Sequence, residues 1–172
     1  MATSPAELFA FLNHLEIPHA TVSHPRLFTV EQSRSLRGTI GGAHTKNLFL
    51  RDKRGVHFLV VAIEDAAIDL KRLHRRLGAA GRFSFGSADA LRDLLGVEPG
   101  SVTPFAVIND VAGKVAVVLD TAMLAHELLN YHPLVNTMTT SISRAGLLKF
   151  LKASGHEPRI DTISERTLAS PP

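Results

Sequence analysis

Residues 45–65 constrain the fold more than any other stretch, because two apolar runs there are separated by a short polar turn. The runs are residues 47–50 and 56–63, and the turn reads Asp-Lys-Arg-Gly, which predicts a β-hairpin. The second run, VHFLVVAI, is almost continuously apolar, as is typical of a strand covered on both faces. Lys46, at the head of the first run, is either an edge lysine that reaches solvent or a cation directed into a site.

The rest of the chain alternates helix and strand signals. Ser4, Pro5 and Glu7 supply an N-cap, a first-turn proline and a capping-box glutamate, which predict a helix that ends before Pro18. Further helices are predicted at residues 29–36, 69–77, 87–95, 121–129 and 143–155, and further strands at 19–24, 82–85, 105–109, 115–120 and twice within 131–142. Residues 105–109 and 115–120 are expected to form a second hairpin. This order predicts an α/β fold of the α+β type, with a mixed, largely antiparallel sheet flanked by helices.

Size and composition narrow the class of protein. With 172 residues, 45% of them hydrophobic, the chain is expected to form one domain over residues 1–163, followed by a loose tail at 164–172. The absence of cysteine excludes disulfides, a thiol nucleophile and thiolate metal ligands. The nine histidines lack metal-ligand spacing, so we expect no metal and no cofactor. No stretch has the pattern of a signal peptide or a membrane span, so we expect a cytoplasmic protein without a membrane partner.

A loop between a predicted helix and a predicted strand is the first candidate for chemistry. Its residues are Gly100, Ser101, Val102, Thr103 and Pro104. The glycine permits close approach of a ligand and the proline fixes the far end, so amide N–H groups between them could be directed at a ligand carbonyl. The alternative is a plain connection.

Polar residues are dense in the segment that follows Tyr131. His132, Asn136 and Thr139 lie where a strand should be half-buried, so they form either a pocket wall or an edge strand with satisfied hydroxyls.

A basic run in the predicted helix 69–77 is the third candidate. Its cations are Lys71, Arg72, Arg75 and Arg76, with Arg82 shortly after. They could bind phosphates without reading bases, or they could form an ordinary solvated helix face.

Three stretches taken in order resemble the YbaK/ProX family of aminoacyl-tRNA editing domains. They are TKNLFL from Thr45, GSVTPF from Gly100 and YHPLVNT from Tyr131, and the likeness extends over roughly residues 6–155. It is strongest to the free-standing ProX (PrdX) type, which hydrolyses alanine mischarged onto proline tRNA. The resemblance implies a barrel-like mixed β core with helices around it. It also implies that Lys46 is the family's essential lysine, that the loop from Gly100 is its Gly-x-x-x-Pro loop, and that His132 belongs to its His-Pro pair.

On this resemblance we expect a trans-acting hydrolase that deacylates mischarged tRNA(Pro), most specifically Ala-tRNA(Pro). The expected catalytic groups are Lys46, Gly100, Ser101 and His132, with Asn47, Val102, Thr103, Pro104, Asn136 and Thr139 in substrate binding. The basic run and Arg82 would contact the acceptor end of the tRNA, and prolyl-tRNA synthetase or an elongation factor would be a partner. With no evident general base, the neighbouring ribose hydroxyl is the candidate to assist the attacking water.

Two alternatives stay open at this point. One is a deacylase for Cys-tRNA(Pro) or another small amino acid, although the loop sequence differs from the Ser-Pro-then-Gly pattern of the cysteine-specific branch. The other is a non-catalytic nucleic-acid-binding or synthetase-associated module. A chain with no tryptophan and one tyrosine has few side chains for base stacking, which disfavours a single-strand binder.

Overall fold

The computed structural model describes residues 1–26 and 40–165. The predicted helix at residues 29–36 and the end of the predicted tail, residues 166–172, lie outside the described residues. None of the helices in these two ranges has the length and hydrophobicity that a transmembrane segment needs.

Residues 1–26 and 40–165 contain four α-helices, and local caps define where most of them begin. They are α1 (Pro5–His14), α2 (Leu73–Leu77), α3 (Ala88–Leu95) and α4 (Arg144–Ala153), with 3₁₀ helices at Pro104–Asn109 and Met123–Ala125. The Ser4 hydroxyl accepts the backbone N–H of Glu7 at 3.2 Å, and Ser87 and Ser143 cap α3 and α4 in the same way. These caps confirm three predicted helix starts.

In the part of the chain that the structure describes, eight strands form one mixed sheet. They are β1 (His19–Ser23), β2 (Ala43–Arg51), β3 (His57–Ile63), β4 (Ser84–Phe85), β5 (Val115–Asp120), β6 (Leu128–Tyr131), β7 (Met138–Ser143) and β8 (Arg159–Asp161). The order is β1-β7-β6-β2-β3-β5-β8, with β4 paired to β2. The predicted β2–β3 hairpin is confirmed, with antiparallel pairing from Thr45–Ile63 to Arg51–His57. The sheet is open, so the barrel-like expectation holds only loosely, whereas the mixed α/β class is confirmed.

The predicted second hairpin is wrong. Residues 105–109 belong to the 3₁₀ helix, and β5 pairs in parallel with β3 instead. Pro104 starts that helix and the Thr103 hydroxyl caps it by accepting the N–H of Phe105. Phe105 is fully buried, which explains the error: a short apolar run reads the same whether it is a buried strand or a buried helical turn.

Two other helices are shorter than predicted. The basic helix begins at Leu73 rather than at residue 69, because Asp69 accepts the N–H of Lys71 in a turn that precedes it. The expected helix 121–129 is reduced to Met123–Ala125, and β6 begins at Leu128. The basic side chains therefore lie partly on a turn and partly on a five-residue helix.

The sheet carries a hydrophobic core on each face. The larger core contains Phe105, Tyr131 and Phe150, whereas the smaller one contains Leu50, Val60, Ala62, Leu73 and Leu77. Successive side chains of a strand point to opposite faces. Consequently, alternate residues of β2 serve the two cores.

Candidate active site

Lys46 lies on the face of β2 that serves the smaller core, because it is directly opposite Ala62. Its side chain is half-buried, and its Nζ donates a hydrogen bond to the carbonyl of Ala66. An ammonium group carries three donors, so this bond leaves two N–H groups of Lys46 for another acceptor.

The strand beside β2 brings polar side chains to the same face. β6 is parallel to the start of β2, with His44 in register with Asn130. Buried Asn130 donates to the Gly41 carbonyl at 2.8 Å, and its Oδ1 accepts the hydroxyl of Ser141. Lys46 lies two residues beyond His44 on β2, and His132, two residues beyond Asn130, directly follows the end of β6.

His132 has a defined tautomer. Its Nδ1 lies 2.9 Å from the Met138 carbonyl, which can only accept, so Nδ1 carries the proton and Nε2 of the neutral ring is an acceptor. Burial lowers the pKa of His132, and the nearby positive charge of His24 acts in the same direction. The hydrogen bond to Met138 opposes them but does not outweigh them. At neutral pH the ring is therefore uncharged.

The end of β1 is joined to the segment around His132. The Nε2 of His24 is 2.8 Å from the Thr139 hydroxyl, and the His24 and His132 ring centroids are 6.3 Å apart. Arg26 donates through Nε to the side-chain oxygen of Asn136 at 3.2 Å. Sequence reasoning missed both His24 and Arg26, because their partners lie more than one hundred residues away along the chain.

The glycine-to-proline loop lies beside this cluster. A Cβ on Gly100 would be 3.5 Å from the side-chain nitrogen of Asn136, and the glycine has φ +94°, which side chains rarely adopt. Ser101 is buried, Thr103 is fully buried with its hydroxyl used as a helix cap, and Pro104 is buried as well. Of the three side chains of the loop predicted to bind substrate, Val102 is half-buried, whereas Thr103 and Pro104 are buried. The loop can therefore offer backbone groups more readily than hydroxyls.

Asn47 is separated from Lys46. It faces the larger core with Val61, on the opposite side of the sheet from Lys46. Its Oδ1 is buried and finds no hydrogen-bond partner among the described residues. The structure thus brings Lys46, His132 and Thr139 to one face and Gly100 and Asn136 to its edge, but it leaves Asn47 outside this group.

The predicted tRNA-binding cations divide into two sets. Arg72, Arg75 and Arg76 line a surface groove of 740 Å³ together with residues 162–165, whereas Lys71 and Arg82 are exposed elsewhere. The same segment also borders a second cavity of 480 Å³, whose wall includes Ala66, the acceptor for Lys46. Glu165 borders both cavities, but the second has the further carboxylates of Asp65 and Asp120 and no arginine or lysine among the described residues of its lining, so phosphate contacts are favoured on the arginine side.

No cluster of three or more metal-ligating side chains occurs in residues 1–26 and 40–165.

Comparisons with known proteins agree on one family. The family model described as "Aminoacyl-tRNA editing domain" matches residues 24–150. Prolyl-tRNA editing protein ProX of Acetoanaerobium sticklandii is 36% identical over 150 residues, which cover 87% of this chain and 91% of that protein. Prolyl-tRNA synthetase associated domain-containing protein 1 of Mus musculus is 38% identical over 159 residues, covering 90% and 94%.

A solved structure supports the fold. A crystal structure of a candidate trans-editing enzyme for prolyl tRNA synthetase superposes with a TM-score of 0.69 at 17% identity, covering 96% of this chain and 99% of that one. At that identity the likeness shows the shared fold alone.

Proposed function

The chain belongs to the aminoacyl-tRNA editing domain family, and from this premise we propose that it hydrolyses mischarged tRNA(Pro), with alanine as the amino acid removed. It is an aminoacyl-tRNA deacylase: its substrate is the ester between an amino acid and the terminal ribose. It acts in trans on tRNA(Pro) that has already been mischarged. A cytoplasmic location and an association with prolyl-tRNA synthetase or an elongation factor stay predictions.

The observation that carries this proposal is the polar face shared by Lys46 and His132. The half-buried ammonium of Lys46, with two spare donors, lies on β2, and the neutral imidazole of His132, with a bare acceptor nitrogen, directly follows the adjacent strand β6. The Gly100 loop adjoins the same face through Asn136. A cation, an acceptor and backbone N–H donors are groups that promote hydrolysis of an activated ester.

We assign the steps of hydrolysis to these groups. Water adds to the ester carbonyl carbon, and the negative charge on the carbonyl oxygen is stabilised by Lys46 and by amides of the Gly100 loop. The Nε2 of His132 accepts a hydrogen bond from the attacking water or from the neighbouring ribose hydroxyl. The bond between the carbonyl carbon and the ribose oxygen then breaks, and the proton lost by the water passes to that oxygen. Free amino acid and a free tRNA 3′ end result.

We attribute the selection of alanine to the small size of its side chain. A pocket that accepts a methyl side chain excludes larger amino acids by overlap, in the manner of a second editing sieve. Cysteine and serine are only slightly larger than alanine, so they are the competing substrates to test.

A panel of aminoacylated tRNAs tests the proposal. The protein is incubated with Ala-, Cys-, Ser- and Pro-tRNA(Pro), and with Ala-tRNA(Ala), and the loss of the ester is followed over time. We expect Ala-tRNA(Pro) to be hydrolysed fastest and Pro-tRNA(Pro) to survive. Preferential hydrolysis of the cysteinyl or seryl ester would overturn the alanine assignment, and stability of every ester would overturn the enzymatic function.

The arginine groove gives a separate prediction about tRNA binding. Arg72 and Arg76 lie 3.7 Å and 3.5 Å from the carboxylates of Asp69 and Asp161, whereas exposed Arg75 forms no ion pair within the described part of the chain. Arg75→Ala should weaken tRNA binding and reduce the slope of log affinity against log salt by about 0.9. Arg54→Ala removes an exposed arginine outside the groove and is the matched control. Equal salt slopes in the two variants would contradict a phosphate contact at Arg75.

A further inference from the structure

His24 has a fixed position that the proposed chemistry does not use. Its Nδ1 is 2.9 Å from the Pro25 carbonyl, so Nδ1 carries a proton, and its Nε2 is 2.8 Å from the Thr139 hydroxyl. Its backbone N–H donates to the Thr137 carbonyl at 2.9 Å. With both ring nitrogens and the backbone engaged, the imidazole is held in one orientation.

The fixed ring lies next to the ring of His132. The two centroids are 6.3 Å apart with the planes inclined by 54°, so the rings are neighbours without stacking. Thr139 follows Met138, whose carbonyl holds the Nδ1 of His132. One short stretch of β7 therefore orients both imidazoles.

We propose that His24 is a positioning residue for His132: held by Thr139 and the Pro25 carbonyl, it places a second imidazole beside the ring that accepts a hydrogen bond from the water or the ribose. This inference rests on the proposed function for its role in catalysis, but its physical content concerns two side chains and is measurable without substrate. In this arrangement Thr139 acts through His24, by holding its ring with a hydrogen bond, and not through the substrate contact that the sequence predicts.

The pairing has an electrostatic consequence. A proton on His24 disfavours a second positive charge on His132, and this adds to the effect of burial in keeping the pKa of His132 low. Only the neutral form of His132 offers Nε2 as an acceptor, so activity should fall as the pH drops through this lowered pKa. Loss of the His24 charge should raise the pKa of His132 and move the acid limb of the activity profile to higher pH.

Other basic side chains lie on this face. The described elements bring Arg26, His44 and Lys46 to the region around His132, from the end of β1 and from β2. Burial lowers the pKa of His132 independently of His24, so removal of His24 alone should shift the titration without abolishing the effect of burial.

The test is an NMR titration of the histidine ring protons in the full chain. His24→Gln keeps a side chain able to hydrogen bond to Thr139 but removes the titratable charge, and His14→Gln removes an exposed histidine of α1 as the control. The resonance of His132 is assigned by its loss in His132→Asn. We expect the midpoint of His132 to move to higher pH in His24→Gln and to stay unchanged in His14→Gln.

A second variant keeps the inference testable if His24→Gln does not fold. Thr139→Val has nearly the same shape but removes the anchor of the His24 Nε2, so it should shift the His132 midpoint in the same direction. An unchanged His132 midpoint in folded His24→Gln or folded Thr139→Val would overturn the inference. A wild-type protein that hydrolyses no ester would instead overturn the proposed function, while the titration result would stand.

Discussion

Replacing Lys46 by alanine is expected to slow hydrolysis of Ala-tRNA(Pro) on the order of 10²–10³-fold, the loss that follows removal of one group stabilising a developing oxyanion. The loss should fall on kcat, because the charge that Lys46 meets forms only as water adds to the carbonyl. The fold should survive, since the Ala66 carbonyl left without its donor borders a cavity that water can enter. Single-turnover kinetics with preformed Ala-tRNA(Pro) measure the effect directly.

Two further lysine variants sharpen this test. Lys149→Ala removes an exposed lysine of α4 and should hydrolyse the ester at the wild-type rate. Lys46→Arg retains the charge but places it on a larger planar group, so we expect little recovery of activity. A folded Lys46→Ala protein with wild-type turnover would eliminate Lys46 from the mechanism.

Replacing His156 by alanine is expected to destabilise the protein by about 3 kcal/mol, the lower end of the range for breaking a buried ion pair. The Nε2 of His156 is 2.9 Å from a carboxylate oxygen of Asp110, with 3% and 2% of the two side chains exposed. The Nδ1 of His156 also lies 2.9 Å from an acceptor, the Ser154 carbonyl. Asp110 would still accept hydrogen bonds from the backbone N–H groups of Lys114 and Val115, which limits the loss of stability.

Urea unfolding at neutral pH measures this change, and a fall in melting temperature of roughly 6 to 12 °C should accompany it. Burial would raise the pKa of Asp110, but the His156 hydrogen bond and backbone N–H donors outweigh burial and lower it. A lowered carboxyl pKa contributes stability that is present above its ordinary value of 3.8 and is lost as the pH falls through the folded-state value. The difference in the free energy of unfolding between wild type and His156→Ala should therefore become smaller at acid pH.

The exposed His14 supplies the control, since His14→Ala should leave the unfolding free energy almost unchanged. A double-mutant cycle with Asp110→Asn isolates the pair itself. Additive effects of the two substitutions would contradict a coupled Asp110–His156 contact.

Local signals were sufficient for several elements of the fold. Ser4 and Ser87 begin α1 and α3, and Gly96 ends α3, because a cap is decided by residues within one helical turn. The β2–β3 hairpin follows equally from two apolar runs and the polar turn between them. The resemblance in the stretches around Lys46, Gly100 and His132 also identified the family before any fold was known.

Contacts between distant parts of the chain were beyond such signals. Residues 105–109 belong to a buried 3₁₀ helix instead of a strand, and β5 pairs in parallel with β3. Asp110 meets His156 across 46 residues, and His24 meets Thr139 across 115. The sequence by itself thus determined the family, the caps and the central hairpin, since these depend on neighbours a few positions away. Only the tertiary structure decided which side chains share a face with Lys46, because strand order and register join residues that no local rule connects.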